Sequence, residues 1–478
     1  MDPLALPISD SVAVAGADGS QLTYRELVRR ADNLGPYLPQ ERKGLVALLG
    51  DRDLATLIAY VAALRHGHAV AWFGSAGTAS RRQDLVRRFR PDVVVAPARE
   101  LAEALLGLPY RLLESEAAGV HAAGRTDGTA PPEVNDETSV LLLTSGTMSG
   151  GRAVRLSGAA VASNSRGVID ALAVRPTGCA VTSLPLYYSY GLSVLNSHLI
   201  AGASVLLTET PATSVRFWRE FTTAECTSFA GVPFHLEWLA HSRLTWDRVP
   251  TLEAVTVSGA RIGSAVAQAF HQRADAAGIR FHKMYGQTEA TARISVLSHN
   301  DFVDHPDSVG RVIVGSSVLI TDESGVAQQD GVLGRIVYRG PNAMQGYADD
   351  AVGLAAPDEM RGTVDTGDSG FLADGYLHVH GRTGRFIKPN GKRLELDLVE
   401  RCFEQLAPAA VVGTGDERAH LFVEGKQSSA IKDLRFNIIM RAGIAPEELQ
   451  IHFVDSIPRM KSGKVDYGSL AEMAADHF

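Results

Sequence analysis

Cysteine is scarce in this chain: Cys179, Cys226 and Cys402 are the three in 478 residues. They form no C-x-x-C pair and no zinc-ligand spacing, which excludes a disulfide scaffold and makes a reducing cytoplasm the expected compartment. Long apolar runs are missing too. The longest, Leu54 to Leu64, stops at Arg65 and falls short of the ~18 residues a membrane span requires. Positive charge is not in excess. The 46 Lys and Arg against 54 Asp and Glu leave a net charge of −8, the wrong sign for a protein that neutralises nucleic-acid phosphates. Met1-Asp2-Pro3 begins no basic and then apolar leader, which argues against a secretory signal. Solenoid repeats and low-complexity tracts are also absent.

What is there is ordinary globular material, 45% hydrophobic and 21% charged. At about 150 residues per domain the length suggests roughly three lobes. Thr23 to Leu34 places Tyr24, Leu27, Ala31 and Leu34 at helical spacing behind a capping threonine, and Asp53 to Leu64 reads as a second helix. Short apolar strands are expected at Gly44 to Gly50, Pro91 to Ala96, Val140 to Leu143, Ala180 to Leu184, Ser204 to Leu207 and Ala254 to Val257. Strands alternating with helices predict an α/β fold with mostly parallel sheets covered by helices. Beyond about residue 300 the pattern becomes β-rich, with strands at Val312 to Thr321, Gly334 to Arg339 and a hairpin over Gly370 to His380 turning at Asp374-Gly375. A second hairpin is expected over 385–395 around Asn390-Gly391, followed by an amphipathic helix from Leu396 to Leu406. Glu114 to Pro132 reads as a polar connector. The glycines at Gly381-Arg382-Thr383-Gly384 mark a boundary between a large, multi-lobed domain, 1–383, and a small mobile α+β domain, 384–478.

Four segments could carry chemistry. In Leu141 to Val154 an apolar strand runs into Thr144-Ser145-Gly146-Thr147 and a flexible Ser149-Gly150-Gly151. Hydroxyls and unencumbered backbone N–H groups there suit phosphate oxygens, with Arg152 able to add charge. A surface loop of small residues has the same composition. Met284 to Ala290, MYGQTEA, sets Tyr285 to stack on a base, Thr288 to bond a phosphate and Glu289 to ligate Mg²⁺; a polar helix start is the plainer alternative. Asp368, in Asp365 to Gly370, could accept ribose hydroxyls or merely occupy a turn. Lys464, in Ile457 to Asp466, is a lysine beside a glycine that could equally be solvated.

In this order and spacing the four segments resemble the adenylate-forming superfamily of AMP-binding enzymes: acyl-CoA synthetases, peptide-synthetase adenylation domains and firefly-type luciferases. The resemblance extends over nearly the whole chain, through Val257 to Ala260, Gly340 to Tyr347, the TGD of 366–368, the hinge region and the terminal GKVD. It implies a phosphate loop of Thr144, Ser145, Gly146, Thr147 and Arg152. It further implies an adenine site of Gly259, Ala260, Tyr285 and Gly286, an α-phosphate contact at Thr288 and a Mg²⁺ ligand at Glu289. Asp368 and Arg382 match the ribose clamp, Lys464 the catalytic lysine and Gly384 the hinge. The implied cofactors are ATP and Mg²⁺. The loop departs from the usual TSGTTGxPKG at Met148, Ser149, Gly151 and Arg152, and Gly384 stands where Asp or Lys is common.

Leu184 to Gly202 matches the stretch that builds the acid pocket, with Tyr188, Ser189, Tyr190, Ser193 and Asn196 as its expected wall. Peptide synthetases place an Asp where this chain has Ser189, so nothing there offsets an ammonium, and a non-α-amino acid, aromatic or mid-sized, is expected. Aryl-acid activators have His-Asn at Tyr188-Ser189, and many acyl-CoA synthetases have His at Tyr188. Arg293 falls on the pocket lining. It either holds a second anionic group of the acid or is an exposed or salt-bridged arginine. The expected partners are a carboxylic acid and then CoA or a carrier-protein phosphopantetheine. A nitrogen or other non-thiol acceptor, and a nucleotide-binding protein with weakened catalysis, are the alternatives.

Overall fold

The computed structural model describes residues 2–475 apart from 75–77, 114–120, 145–151, 243, 383–384, 388–393, 404–405, 415–417 and 443–444. The chain forms two compact units. The first holds most of the sequence up to Leu319 together with Val337–Val364; the second holds Ile320–Ile336 and Asp365–Phe478.

Two large sheets organise the first unit. One runs in the order Arg311–Val312, Ser295–Leu297, Arg280–Tyr285, Ala254–Val257, Ser228–Gly231, Cys179–Val181, Ser204–Leu207, Val12–Gly16, Gln21–Thr23. Its middle is parallel and its edges antiparallel. The other runs Gly346–Ala348, Ala153–Ser157, Thr138–Leu143, Ala69–Trp72, Leu45–Leu48, Val93–Val95, Ala122–Arg125, Tyr110–Leu113. It is likewise parallel only in the centre. The expected α/β architecture holds, with helices following the central parallel strands.

Capping explains where the helices begin. The Thr23 hydroxyl accepts from Glu26 N at 3.2 Å to start Tyr24–Asp32, and Asp53 accepts from Thr56 N at 2.8 Å to start Leu54–Arg65. Leu54–Arg65 is buried from Thr56 to Leu64, which fits its apolar residues on every face. Ser189–Ile200 is buried almost throughout as well, yet it carries Ser189, Ser193, Asn196, Ser197 and His198. Polar groups inside a protein need partners, so the surroundings of this helix must supply them.

Two expectations are corrected. Glu114 to Pro132 is more than a connector, because Ala122–Arg125 is a strand paired with both Val93–Val95 and Tyr110–Leu113. Its sequence, AAGR, has no β-branched residue; two ladder partners make the strand, not local propensity. Val312 to Thr321 is two strands, Arg311–Val312 and Ser317–Thr321, separated by a turn in which Gly315 has φ +82°.

In the second unit Thr363–Ala373 and Tyr376–Arg382 form the expected hairpin, turning through Asp374 (φ +53°) and Gly375 (φ +77°). Phe386–Ile387 pairs with Leu394–Glu395, and the expected Asn390-Gly391 turn lies outside the described residues. A sheet of Ala409–Thr414, Arg418–Glu424 and Leu449–Val454 packs Leu421 and Val423 against Phe403 and Ile439.

Candidate active site

The strand Arg280–Tyr285 leaves its sheet at Gly286, passes through the turn Thr288–Ala290 and returns as Ser295–Leu297, with Tyr285 paired to Ser295. The excursion between them is tight. A Cβ on Gly286 would lie 1.8 Å from the Ala292 carbonyl oxygen, so only glycine fits. Thr291 (φ +52°) and Ala292 (φ +100°) occupy left-handed backbone, strain that persists only when the surroundings enforce it. Asn342 enforces it. Its amide donates to the carbonyls of Ala290 at 2.7 Å and Arg293 at 3.1 Å, its own carbonyl accepts from the Thr291 hydroxyl at 2.6 Å, and its Oδ1 accepts from Tyr338.

This loop presents three side chains. Thr288 Oγ1 donates to Ser189 Oγ at 3.1 Å, and Glu289 Oε1 accepts from the Tyr347 hydroxyl at 2.9 Å. Arg293 turns inward. Its guanidinium lies 4.0 Å over the Tyr190 ring and donates at 3.2 Å to the Ala292 carbonyl, and the residue is 1% exposed. Burial pulls its pKa down from the ordinary arginine value. Of the two sequence readings of Arg293, the exposed or salt-bridged one is overturned: among the described residues it has no carboxylate partner.

The helix Ser189–Ile200 divides its polar residues between two cavities. Ser189, Ser193 and Asn196, at i, i+4 and i+7, line a small one with Asn164 and Thr291. Val194 and His198, four and eight residues beyond Tyr190 along the chain, face a larger one of about 50 Å³ together with Thr256, Met284 and Arg293. Of the expected wall, Ser189, Ser193 and Asn196 thus share one cavity, and Arg293 lines the other. Asn196 also accepts from Tyr60 at 3.1 Å, and Ser193 donates to the Tyr190 carbonyl at 2.8 Å, so both have partners within the protein. Tyr190 is bonded to Thr256 Oγ1 at 2.7 Å, and burial pushes its phenol up to about 12. The Tyr188 hydroxyl reaches Gly259, which has φ +93° and where an added Cβ would meet that oxygen at 2.4 Å. Ala260 is exposed, and Tyr285 and Gly286 are half-buried.

Thr144 and Arg152 close the base of the expected phosphate loop: Thr144 N donates to the Arg152 carbonyl at 3.0 Å. Ser145, Gly146 and Thr147 lie outside the described residues. The Arg152 guanidinium lies 4.1 Å over the Tyr347 ring and 3.2 Å from Asp349. Arg152, Tyr347 and Glu289 thus form one chain of contacts. In the second unit, Asp368 and Arg382 are cross-strand partners with Arg382 Nε 2.9 Å from Asp368 Oδ1. Lys464 is half-buried in a turn where its carbonyl accepts from Met460 N at 2.8 Å. Gly384 lies outside the described residues.

The family profile of AMP-binding enzymes matches residues 7–348. The chain belongs to this family. It is 25% identical to the probable CoA ligase CCL9 of Humulus lupulus, over 99% of this chain and 95% of that one. It is 28% identical to the sulfoacetate–CoA ligase of Cupriavidus necator, over 78% and 75%. The fold superposes on ATP-bound MatB from Rhodopseudomonas palustris with a TM-score of 0.81, at 23% identity over 100% and 99% of the two chains.

Among the described residues of this AMP-binding enzyme, no three His, Cys, Asp or Glu side chains converge as a metal site. Glu289 alone suits Mg²⁺, which binds through one or two carboxylates, the rest of its shell being phosphate and water. No helix among those residues is long and apolar enough to cross a membrane. Asn342 and Tyr347 are the site-building residues the sequence reading missed. Both lie in Gly340 to Tyr347, a motif noticed without any role being given to it.

Proposed function

We propose that this AMP-binding enzyme is an ATP-dependent acid–thiol ligase. One carboxylate oxygen of the acid attacks the α-phosphorus of ATP as the bond to pyrophosphate breaks, giving acyl-AMP. The thiol sulfur then attacks the acyl carbonyl, loses its proton and expels AMP. Positioning and charge stabilisation dominate the first step. Thr288 would hold the α-phosphate, and Glu289, steadied by Tyr347, would take the Mg²⁺ that accompanies the nucleotide. Thr144, Ser145, Gly146, Thr147 and Arg152 would surround the outer phosphates. Gly259, Ala260, Tyr285 and Gly286 would take the adenine, and Asp368 with Arg382 the ribose. Lys464, on a small domain (384–478) that turns about Gly384, would neutralise charge at the reacting carboxylate.

One observation carries this reading: the Thr288 hydroxyl on Ser189 joins the candidate phosphate turn to the start of the pocket helix. The acid is not an α-amino acid, since Ser189 supplies no anion and the buried Arg293 would repel an ammonium. Of the two tyrosines behind an aromatic or mid-sized acyl group, Tyr190 packs under Arg293 and only Tyr188 remains toward the nucleotide side. CoA is the proposed acceptor, and a carrier-protein phosphopantetheine offers the same thiol. The test is acid-dependent ATP–pyrophosphate exchange with Mg²⁺. Glu289→Ala is expected to lose about 100-fold or more of the exchange rate; an unchanged rate removes this reading.

A further inference from the structure

Buried arginines elsewhere in the first unit have an acid to face. Arg82 is 3.2 Å from Glu103, and Arg155 is 3.4 Å from Glu359. Arg293 is as buried as any of them and has none among the described residues. Its Nε lacks a hydrogen-bond partner, as it does in Arg82 and Arg155, so the missing carboxylate is what distinguishes it. A guanidinium cannot shed its proton to escape burial in the way a lysine can. The face of Tyr190 offsets part of the cost but carries no formal charge.

The surroundings narrow what could supply the counter-charge. Arg293 lines the cavity with Val194, His198, Thr256 and Met284. The His198 ring, pushed down to about 4 by burial, is neutral there. Glu253, the one carboxylate on that lining, already faces Arg175 at 2.5 Å and Arg280 at 3.9 Å at an exposed end. Some 50 Å³ beside the guanidinium leaves room for roughly three or four water-sized groups, enough for a small anionic head.

We infer that the acid activated by this enzyme carries a second anionic group, a carboxylate or sulfonate on a short chain, and that Arg293 binds it. The inference rests on the ligase reading above, with the reacting carboxylate at Thr288 and the distal anion at the far end of the same loop. Arg293 presents paired N–H donors in one plane, which suits a bidentate oxyanion. A monocarboxylic acid would leave the guanidinium in an apolar pocket with only a ring to face.

The test uses pyrophosphate exchange with the full chain and acids matched in length: malonate against propionate, succinate against butyrate, glutarate against pentanoate, and sulfoacetate. One of the dianions is expected to exceed its matched monoacid at least about 100-fold in kcat/KM. Arg293→Met should remove that preference, mainly through KM, and should raise the use of the monoacid. Arg293→Lys should retain part of it. Without any acid, Arg293→Met is expected to melt at a higher temperature than the parent, because an uncompensated buried charge is gone. Should Arg293→Met fail to fold, the Lys variant and the parent's own preference still decide. Exchange driven best by a monocarboxylate, or a preference unchanged in Arg293→Met, overturns the inference and leaves the ligase reading standing. Exchange with no acid at all overturns both.

Discussion

Arg293 and Arg385 are both largely buried arginines laid against a tyrosine ring, at 4.0 Å from Tyr190 and 4.1 Å from Tyr467 respectively. There the likeness ends. Arg385, in the second unit, faces Glu400 at 2.7 Å and Asp397, and donates to the Tyr467 hydroxyl at 3.2 Å and to the Val411 carbonyl at 2.5 Å. Every donor direction that matters is filled from within, and the result is a rivet. Arg293, in the first unit, has the ring and one neighbouring carbonyl among the described residues. A charge saturated by its own protein holds structure together, whereas one left without a counter-charge is available to something else. Burial alone does not separate the two cases; the inventory of partners does.

Acid is expected to act most strongly on the Arg293 side. His68, His198, His235 and His282, all in the first unit, are pushed down to about 4, chiefly by burial. An unfolded chain takes up protons near 6.5 that the folded unit refuses, so stability is undiminished above that pH and is lost progressively as pH falls toward 4. The total should reach several kcal/mol. Denaturant titrations at stepped pH would read it, and a flat profile across that window would mean the histidines are not buried as neutral rings.

Arg385→Met should destabilise the second unit by about 3 kcal/mol, because Glu400 and Asp397 are left without their cation. This is the opposite sign to the thermal effect expected of Arg293→Met, and equal signs in the two melting curves would erase the distinction between the sites. The smallest effect is expected from Tyr190→Phe. It removes the bond to Thr256 but keeps the ring under Arg293, so stability should drop by about 1 kcal/mol while the choice between mono- and dianionic acids is unchanged. A lost preference in that variant would show that the hydroxyl, and not the guanidinium, selects the acid.

Much of this was legible in the sequence. Motif and spacing single out Thr288 and Glu289, which the structure sets on one turn, and the resemblance singles out Arg293 and the stretch Leu184 to Gly202. The alternation of short apolar strands and capped helices announced the α/β sheets. What the residues could not disclose was tertiary inventory. An arginine looks the same in sequence whether a carboxylate waits for it or not, and the ordinary expectation for Arg293 was an exposed or paired side chain. Ser193 and Asn196 join the wall of Tyr190 in sequence because the whole stretch Leu184 to Gly202 matches a pocket segment; the packed helix shows them on an adjoining stripe. Asn342 was invisible for a different reason. Its amide donates to backbone carbonyls some fifty residues away in sequence, and no local pattern marks such a partner.

The excursion from Gly286 to Ile294 has a consequence for how this enzyme can change. Glu289 and Arg293 are four residues apart on one strained, pinned segment, so the group proposed for the metal and the group proposed for the distal anion share a single short rail. Its span is fixed by Asn342 and by the lack of room at Gly286. An acid gripped at both ends along such a rail is measured against it, and a chain one methylene too long finds no slack to fold into. The segment is in that sense a gauge for length. Altering the acid by lengthening or shortening this loop would move the phosphate machinery as well, so a new substrate is more readily reached by replacing the side chains that face the rail than by recutting the rail itself.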